Sequence, residues 1–138
     1  MNIVMDAFGG DNAPLEVIKG AIDARRDFQV DITLVGDEDK ITACAKGNGL
    51  DISGLKIRHA DTVIDVCEEP TAVVKGKKDC SMAVGMKMLA DGEGDAFVSA
   101  GSTGALVVGA TMIVRRIKGI NCLLYTSPSP RDRSLSRM

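Results

Sequence analysis

Ile3 and Val4 form a short apolar run that ends at Asp6, with Gly9 and Gly10 behind it. This predicts a first strand over residues 2–5 closed by a glycine loop. Leu15, Ile18, Ala21 and Ile22 then recur at the spacing of one helix face. Pro14 suits the first turn of that helix, Asp11 or Asn12 its cap, and Arg26 its end. Ile32, Leu34 and Val35 predict a second strand over residues 31–36. A second helix over 37–46 follows, then a turn at Gly47, Asn48 and Gly49. Residues 55–59 alternate as a third strand, and Pro70 breaks whatever precedes it. Met82, Val84, Met86, Met88 and Leu89 predict a helix over 81–90. Residues 96–99 read as a short apolar strand, and 102–116 as a helix rich in small residues. Strands that alternate with helices at these spacings predict right-handed βαβ units and a parallel sheet covered on both faces. Neither a repeat nor a linker interrupts the chain before Asn121.

Composition narrows this picture. A chain of 138 residues is expected to be one domain or a piece of one. Aromatic residues are 3% with no Trp, so the core is built from Ala, Val, Ile, Leu and Met. A net charge of −2 makes no electrostatic case for nucleic acid. Asp6 follows the opening residues at once, so no secretory h-region is expected. The apolar run 105–114 is shorter than the roughly 20 residues of a membrane span and reads as a buried helix. Cys44, Cys67, Cys80 and Cys122 show no CxxC spacing and read as free thiols in a reducing cytoplasm. Residues 122–138 change character, with Ser, Arg and Pro and no period. A disordered tail is one reading. The other, which we favour, is one reading frame of a transposase adapter used in DNA sequencing, to be excluded from fold reasoning. Removing Arg131, Arg133 and Arg137 with Asp132 leaves residues 1–121 more acidic than the whole.

Two glycine-rich loops follow predicted strands, where open α/β sheets bind ligands. The first runs from Asp6 through Gly9, Gly10, Asp11 and Asn12 to Pro14. Its glycines and the helix behind it suit an anion. Asp6 and Asp11 oppose one, so turn-making and capping stand as the alternative role. The second loop is Ser99, Ala100, Gly101, Ser102, Thr103, Gly104 and Ala105. Its hydroxyls and amides suit a phosphate or a developing oxyanion, or simply a capped strand-to-helix turn. It is neither a P-loop nor a GxGxxG fingerprint. Lys75, Lys77 and Lys78, just before Ser81, would hold a phosphate or steer an acidic partner, or form a solvated face. His59 ends a strand and titrates near neutrality, or is structural. Glu68 and Glu69 read as loop surface.

These segments resemble bacterial phosphate acyltransferases of the PlsX type. Residues 5–14 resemble the family's "DAMGGDxAP" opening. His59, Ala60 and Asp61, then Val63, Ile64, Glu69, Pro70, Ala72, Val73, Lys77 and Lys78, resemble its central segment. Residues 99–105 resemble its "SAGNTGA" loop, and 116–120 the stretch leading into its next strand. Phe8 stands for the usual Met, Cys80 for Ser and Ser102 for Asn; after Ile120 the resemblance stops. It implies a truncated three-layer α/β/α fold with a mainly parallel sheet, shared with isopropylmalate dehydrogenases and phosphotransacetylases. On this reading residues 1–121 are the N-terminal part of an acyltransferase domain and 122–138 a non-native tail. The implied reaction is attack of inorganic phosphate on the thioester of acyl carrier protein, giving an acyl phosphate for phospholipid synthesis. No metal or organic cofactor is implied, and no serine or cysteine nucleophile. A homodimer in the cytoplasm, meeting the inner membrane face beside the next acyltransferase, is implied for the full-length protein. The basic cluster gains a second role, docking acidic acyl carrier protein. A phosphotransacetylase-like enzyme with another acyl donor, and a non-catalytic phosphate-binding module, are the competing readings. The fragment itself is expected to be inactive or to leave apolar surface uncovered along 105–114.

Overall fold

The computed structural model describes residues 1–64 and 68–118. Cys67, Asn121, Cys122 and the proposed adapter segment lie outside the described residues. Four parallel strands, β1 (Asn2–Asp6), β2 (Asp31–Gly36), β3 (Lys56–His59) and β4 (Ala96–Val98), stand in the order β3-β2-β1-β4. The helices are α1 (Leu15–Phe28), α2 (Glu38–Gly47), α3 (Ala72–Lys75), α4 (Ser81–Ala90) and α5 (Thr103–Gly109), followed by a π-helical segment, Ala110–Val114. The three-layer α/β/α arrangement and the parallel sheet are as the sequence predicts.

Period-two alternation splits β1 and β2 between two cores. Ile32 and Leu34 of β2 cluster with Ile18 and Ala21 of α1 and Ile41 of α2. Val4 and Val35 face the other way and cluster with Met88, Val84 and Phe97. Register explains the sharing of faces, since Val4 pairs with Phe97 and Ile3 with Ile32. A third cluster, Val73, Cys80, Met82, Met86 and Ala105, joins α3, α4 and α5. Each fully buried Ile or Leu contributes about 1.5–3 kcal/mol, so these faces fix the layers.

Four details depart from the sequence pattern. Pro14 is the N-cap of α1 rather than part of its first turn, and the helix has no side-chain cap. Instead of an Asp11 or Asn12 side chain, the Asn12 carbonyl accepts from Glu16 N–H at 3.3 Å. The one-turn helix α3 is too short to leave a period. The helix expected over 102–116 stops at Gly109 and widens into the π-helical segment. A Cβ at Gly109 would lie 2.3 Å from Met86 Sδ, so a larger residue at this crossing must displace the end of the Met86 side chain. Nor is 105–114 a buried helix: Ala105 and Gly109 are buried, but Val107 is 45% and Met112 63% exposed. Only one face of this element meets α3 and α4. No helix among the described residues is long and apolar enough to cross a membrane.

Candidate functional site

Neighbouring strands β1 and β4 bring the two glycine turns together at their carboxyl ends. Asp6, the last residue of β1, is 3% exposed. Its Oδ2 accepts from Ser99 Oγ at 2.8 Å and its Oδ1 from Phe8 N–H at 3.2 Å. Ser99 Oγ accepts in turn from Gly101 N–H at 3.1 Å. The turns touch closely. A Cβ at Gly9 would fall 2.6 Å from Ser99 Oγ, 2.9 Å from Asp6 Oδ2 and 2.9 Å from Gly101 N. A Cβ at Gly101 would fall 3.3 Å from Gly9 Cα. Gly10, at φ +110°, carries the turn through backbone that side-chain-bearing residues rarely adopt.

The start of α4 lies against the second turn. Met82 Cε would be 3.5 Å from a Cβ at Gly101. Cys80 caps α4, its Sγ accepting from Ala83 N–H at 3.3 Å. Burial pushes the Cys80 thiol up, and nearby Asp6 adds to the shift. Such a thiol is a poor nucleophile. Ser81 is 1% exposed and its Oγ has no hydrogen-bond partner. Ser102 caps α5, its Oγ accepting from Ala105 N–H at 3.4 Å. Pro70 leans on this cap, 2.8 Å from where a Cβ of Gly104 would be.

Asp6, Gly9, Gly10, Ser99, Gly101 and Ser102 therefore converge, with Thr103 exposed and Gly104 half-buried beside them. Asp11 and Asn12 are exposed on the first turn. The amide of Gly101 is not left bare, because Ser99 takes it. His59 is at the end of β3, with β2 and β1 between it and β4. It pairs with Asp61 (Nε2 to Oδ1, 2.7 Å) and accepts from Glu38 N–H at 3.4 Å on Nδ1. The Asp61 hydrogen bond pushes the His59 pKa up, with Asp37 and Glu38 adding to it. Backbone donation to Nδ1 favours neutral imidazole, but at 3.4 Å it is the weaker contact.

Lys77 and Lys78 meet different neighbours. Lys77 Nζ donates to Glu68 Oε1 at 2.6 Å and to the Val63 carbonyl at 3.2 Å. Lys78 lines a separate hollow of about 420 Å³ with Val73, Ala83 and Ile113. Lys75 is the last residue of α3. Another hollow, about 510 Å³, is lined by Arg25, Arg26, Asp31 and Leu55 at the opposite, amino ends of β2 and β3. Sequence reading missed the roles of Glu68 as the Lys77 partner, Pro70 as the cover over Gly104, and Met82 as a wall.

Among the described residues no group of His, Cys, Asp and Glu could hold a metal ion. The family model for "fatty acid synthesis protein" matches residues 1–134. The phosphate acyltransferase of Acetivibrio thermocellus is 46% identical over 122 residues, 88% of this chain and 36% of that protein. That of Clostridioides difficile is 39% identical over 131 residues, 94% of this chain and 38% of that protein. The chain thus spans a little over a third of the length of these relatives. The EutD phosphotransacetylase from Staphylococcus aureus shares the fold, with a TM-score of 0.62 at 21% identity over 88% of this chain and 40% of that one. The two facing glycine turns sit inside the matched region, and the chain belongs to the fatty acid synthesis protein family, the phosphate acyltransferases of the PlsX type.

Proposed function

We propose that the whole protein transfers a fatty acyl group from acyl carrier protein to inorganic phosphate, supplying acyl phosphate for phospholipid synthesis. The observation that carries this reading is the 46% identity to a phosphate acyltransferase across both glycine turns, which meet at the carboxyl ends of β1 and β4. A phosphate oxygen attacks the thioester carbonyl, the C–O bond forms, and collapse of the tetrahedral intermediate breaks the C–S bond. The thiolate of the carrier's pantetheine leaves and takes a proton. Phosphate is itself the nucleophile, so the protein's task is positioning and oxyanion stabilisation. The buried, capping Cys80 supports direct transfer over an acyl-cysteine intermediate. Acyl carrier protein is the proposed partner, the homodimer the proposed assembly, and the cytoplasmic membrane face, beside the next acyltransferase, the proposed place of work.

The test is acyl phosphate formation by the whole protein, at the length of its relatives, with acyl carrier protein thioesters and acyl-CoA compared. Preference for the carrier protein thioester is expected. Turnover of acyl-CoA alone makes the protein a phosphotransacetylase-like enzyme. Phosphate binding without turnover makes it a binding module.

A further inference from the structure

Asp6 belongs to a chain of three groups that ties β1 to β4. Its two carboxyl oxygens are both taken by protein donors, the Ser99 hydroxyl and the Phe8 amide. At 3% exposure it offers no oxygen to a ligand. Ser99 has a single O–H, which goes to Asp6. That choice turns the oxygen's lone pairs toward Gly101 N–H. The direction of one hydroxyl thereby sets one backbone amide of the second turn against the first. These residues are 93 apart in sequence, so no local bond replaces the link.

We infer that Asp6 is a positioning residue for acyl transfer: acting through Ser99, it fixes how the second glycine turn presents its backbone beside the first. The inference rests on the reaction proposed above. Phosphate is not held by Asp6 but arranged around by the turns that Asp6 aligns. Asp6→Asn tests this with almost no change in volume. An Asn side chain puts an NH2 donor where one of the two acceptor oxygens was, so either Ser99 must accept from it and turn its own O–H away, or Phe8 N–H faces a second donor. Ser99→Ala removes the middle of the same chain and leaves Gly101 N–H without its acceptor.

In the whole protein, each substitution is expected to lower kcat on the order of 10- to 100-fold, as misplacement of a reacting group does. KM for phosphate is expected to stay within about twofold, because no ligand contact is removed. The double variant is expected to be no slower than the slower single one, because both cut one chain. A merely structural residue would reduce the folded fraction and leave kcat per folded molecule unchanged. Wild-type kcat in Asp6→Asn, multiplicative losses in the double variant, or a selective rise in KM for phosphate each overturn the inference. A second measurement separates it from the reaction itself. In the 138-residue chain, amide hydrogen exchange at Gly101 is expected to quicken at least about tenfold in Asp6→Asn, as a local opening would. Unchanged exchange overturns the inference even in an active enzyme. An inactive wild type with quickened exchange overturns the reaction and leaves the coupling.

Discussion

Gly9→Ala measures how tightly the two turns are closed. The new methyl would sit 2.6 Å from Ser99 Oγ, 2.9 Å from Asp6 Oδ2 and 2.9 Å from Gly101 N. Ser99 can rotate away, but only by giving up its bonds to Asp6 and Gly101. Gly101 N is backbone and moves only with the whole turn. Overpacking of a close contact costs about 1–3 kcal/mol, and a lost buried hydrogen bond about 1 kcal/mol more. A domain of this size melts about 4 °C lower per kcal/mol lost, so a fall in Tm of about 8–16 °C is expected. Gly20→Ala is the control with the opposite sign. Gly20 lies inside α1 with nothing within 4 Å of its would-be Cβ. Alanine there stabilises by about 0.5–1 kcal/mol, raising Tm by about 2–4 °C. Both are read by circular dichroism melts of the same chain. A Gly9→Ala protein melting within about 2 °C of the parent refutes the close apposition. A Gly20→Ala protein melting lower refutes the placement of that residue on a free helix face.

Ser81→Ala removes a buried hydroxyl without a partner; denaturant midpoints are expected to be unchanged or higher, since an orphaned polar group costs about 1–3 kcal/mol. A loss above about 1 kcal/mol would mean the hydroxyl is bonded in solution. His59 has a pKa raised in the fold, first by its hydrogen bond to Asp61. The contact therefore stabilises fully below the unfolded value of about 6.5 and fades as pH rises through the higher folded value. Tm against pH is expected to lose that component in His59→Gln, and superimposable slopes would remove it. Lys77→Ala breaks a partly exposed pair with Glu68; a fall of about 0.5–1 kcal/mol is expected. Glu68→Gln should cost a similar amount, and additive losses in the double variant would show that the two do not act on each other.

The sheet was legible because it rests on short-range patterns. Ile32, Leu34 and Val35 announce a buried strand whatever surrounds them, and Leu15, Ile18, Ala21 and Ile22 announce a helix face. What stayed hidden depends on distance or on size. One turn of helix at Ala72–Lys75 cannot show a period. Gly109 looks like any other small residue until Met86 is found against it. The lysine run reads as a common patch, yet Lys77 turns to Glu68 while Lys78 lines a hollow beside Val73. Asp6 and Ser99 carry no mutual signal in the sequence, because parallel pairing through β4 is what joins them.

The glycines of the two turns carry less functional meaning than their number suggests, and this sharpens where a ligand would bind. Gly9 and Gly101 are glycine because the chain approaches itself, with a Gly101 Cβ falling 3.3 Å from Gly9 Cα. Gly104 is glycine because Pro70 occupies the space a side chain would need. Gly10 alone combines a positive φ with a half-open position. Self-contact therefore explains most of the glycine spacing without any ligand. Backbone spent on self-contact is also unavailable to phosphate, as the Gly101 amide shows. Even Gly10 meets the other turn, a Cβ there falling 3.3 Å from Ala100 Cβ, so what remains exposed is Asp11 and Asn12 on one turn and Ala100 and Thr103 on the other. On the proposed reaction an oxyanion would meet that rim, with the Asp6–Ser99 hydrogen bond linking the two turns.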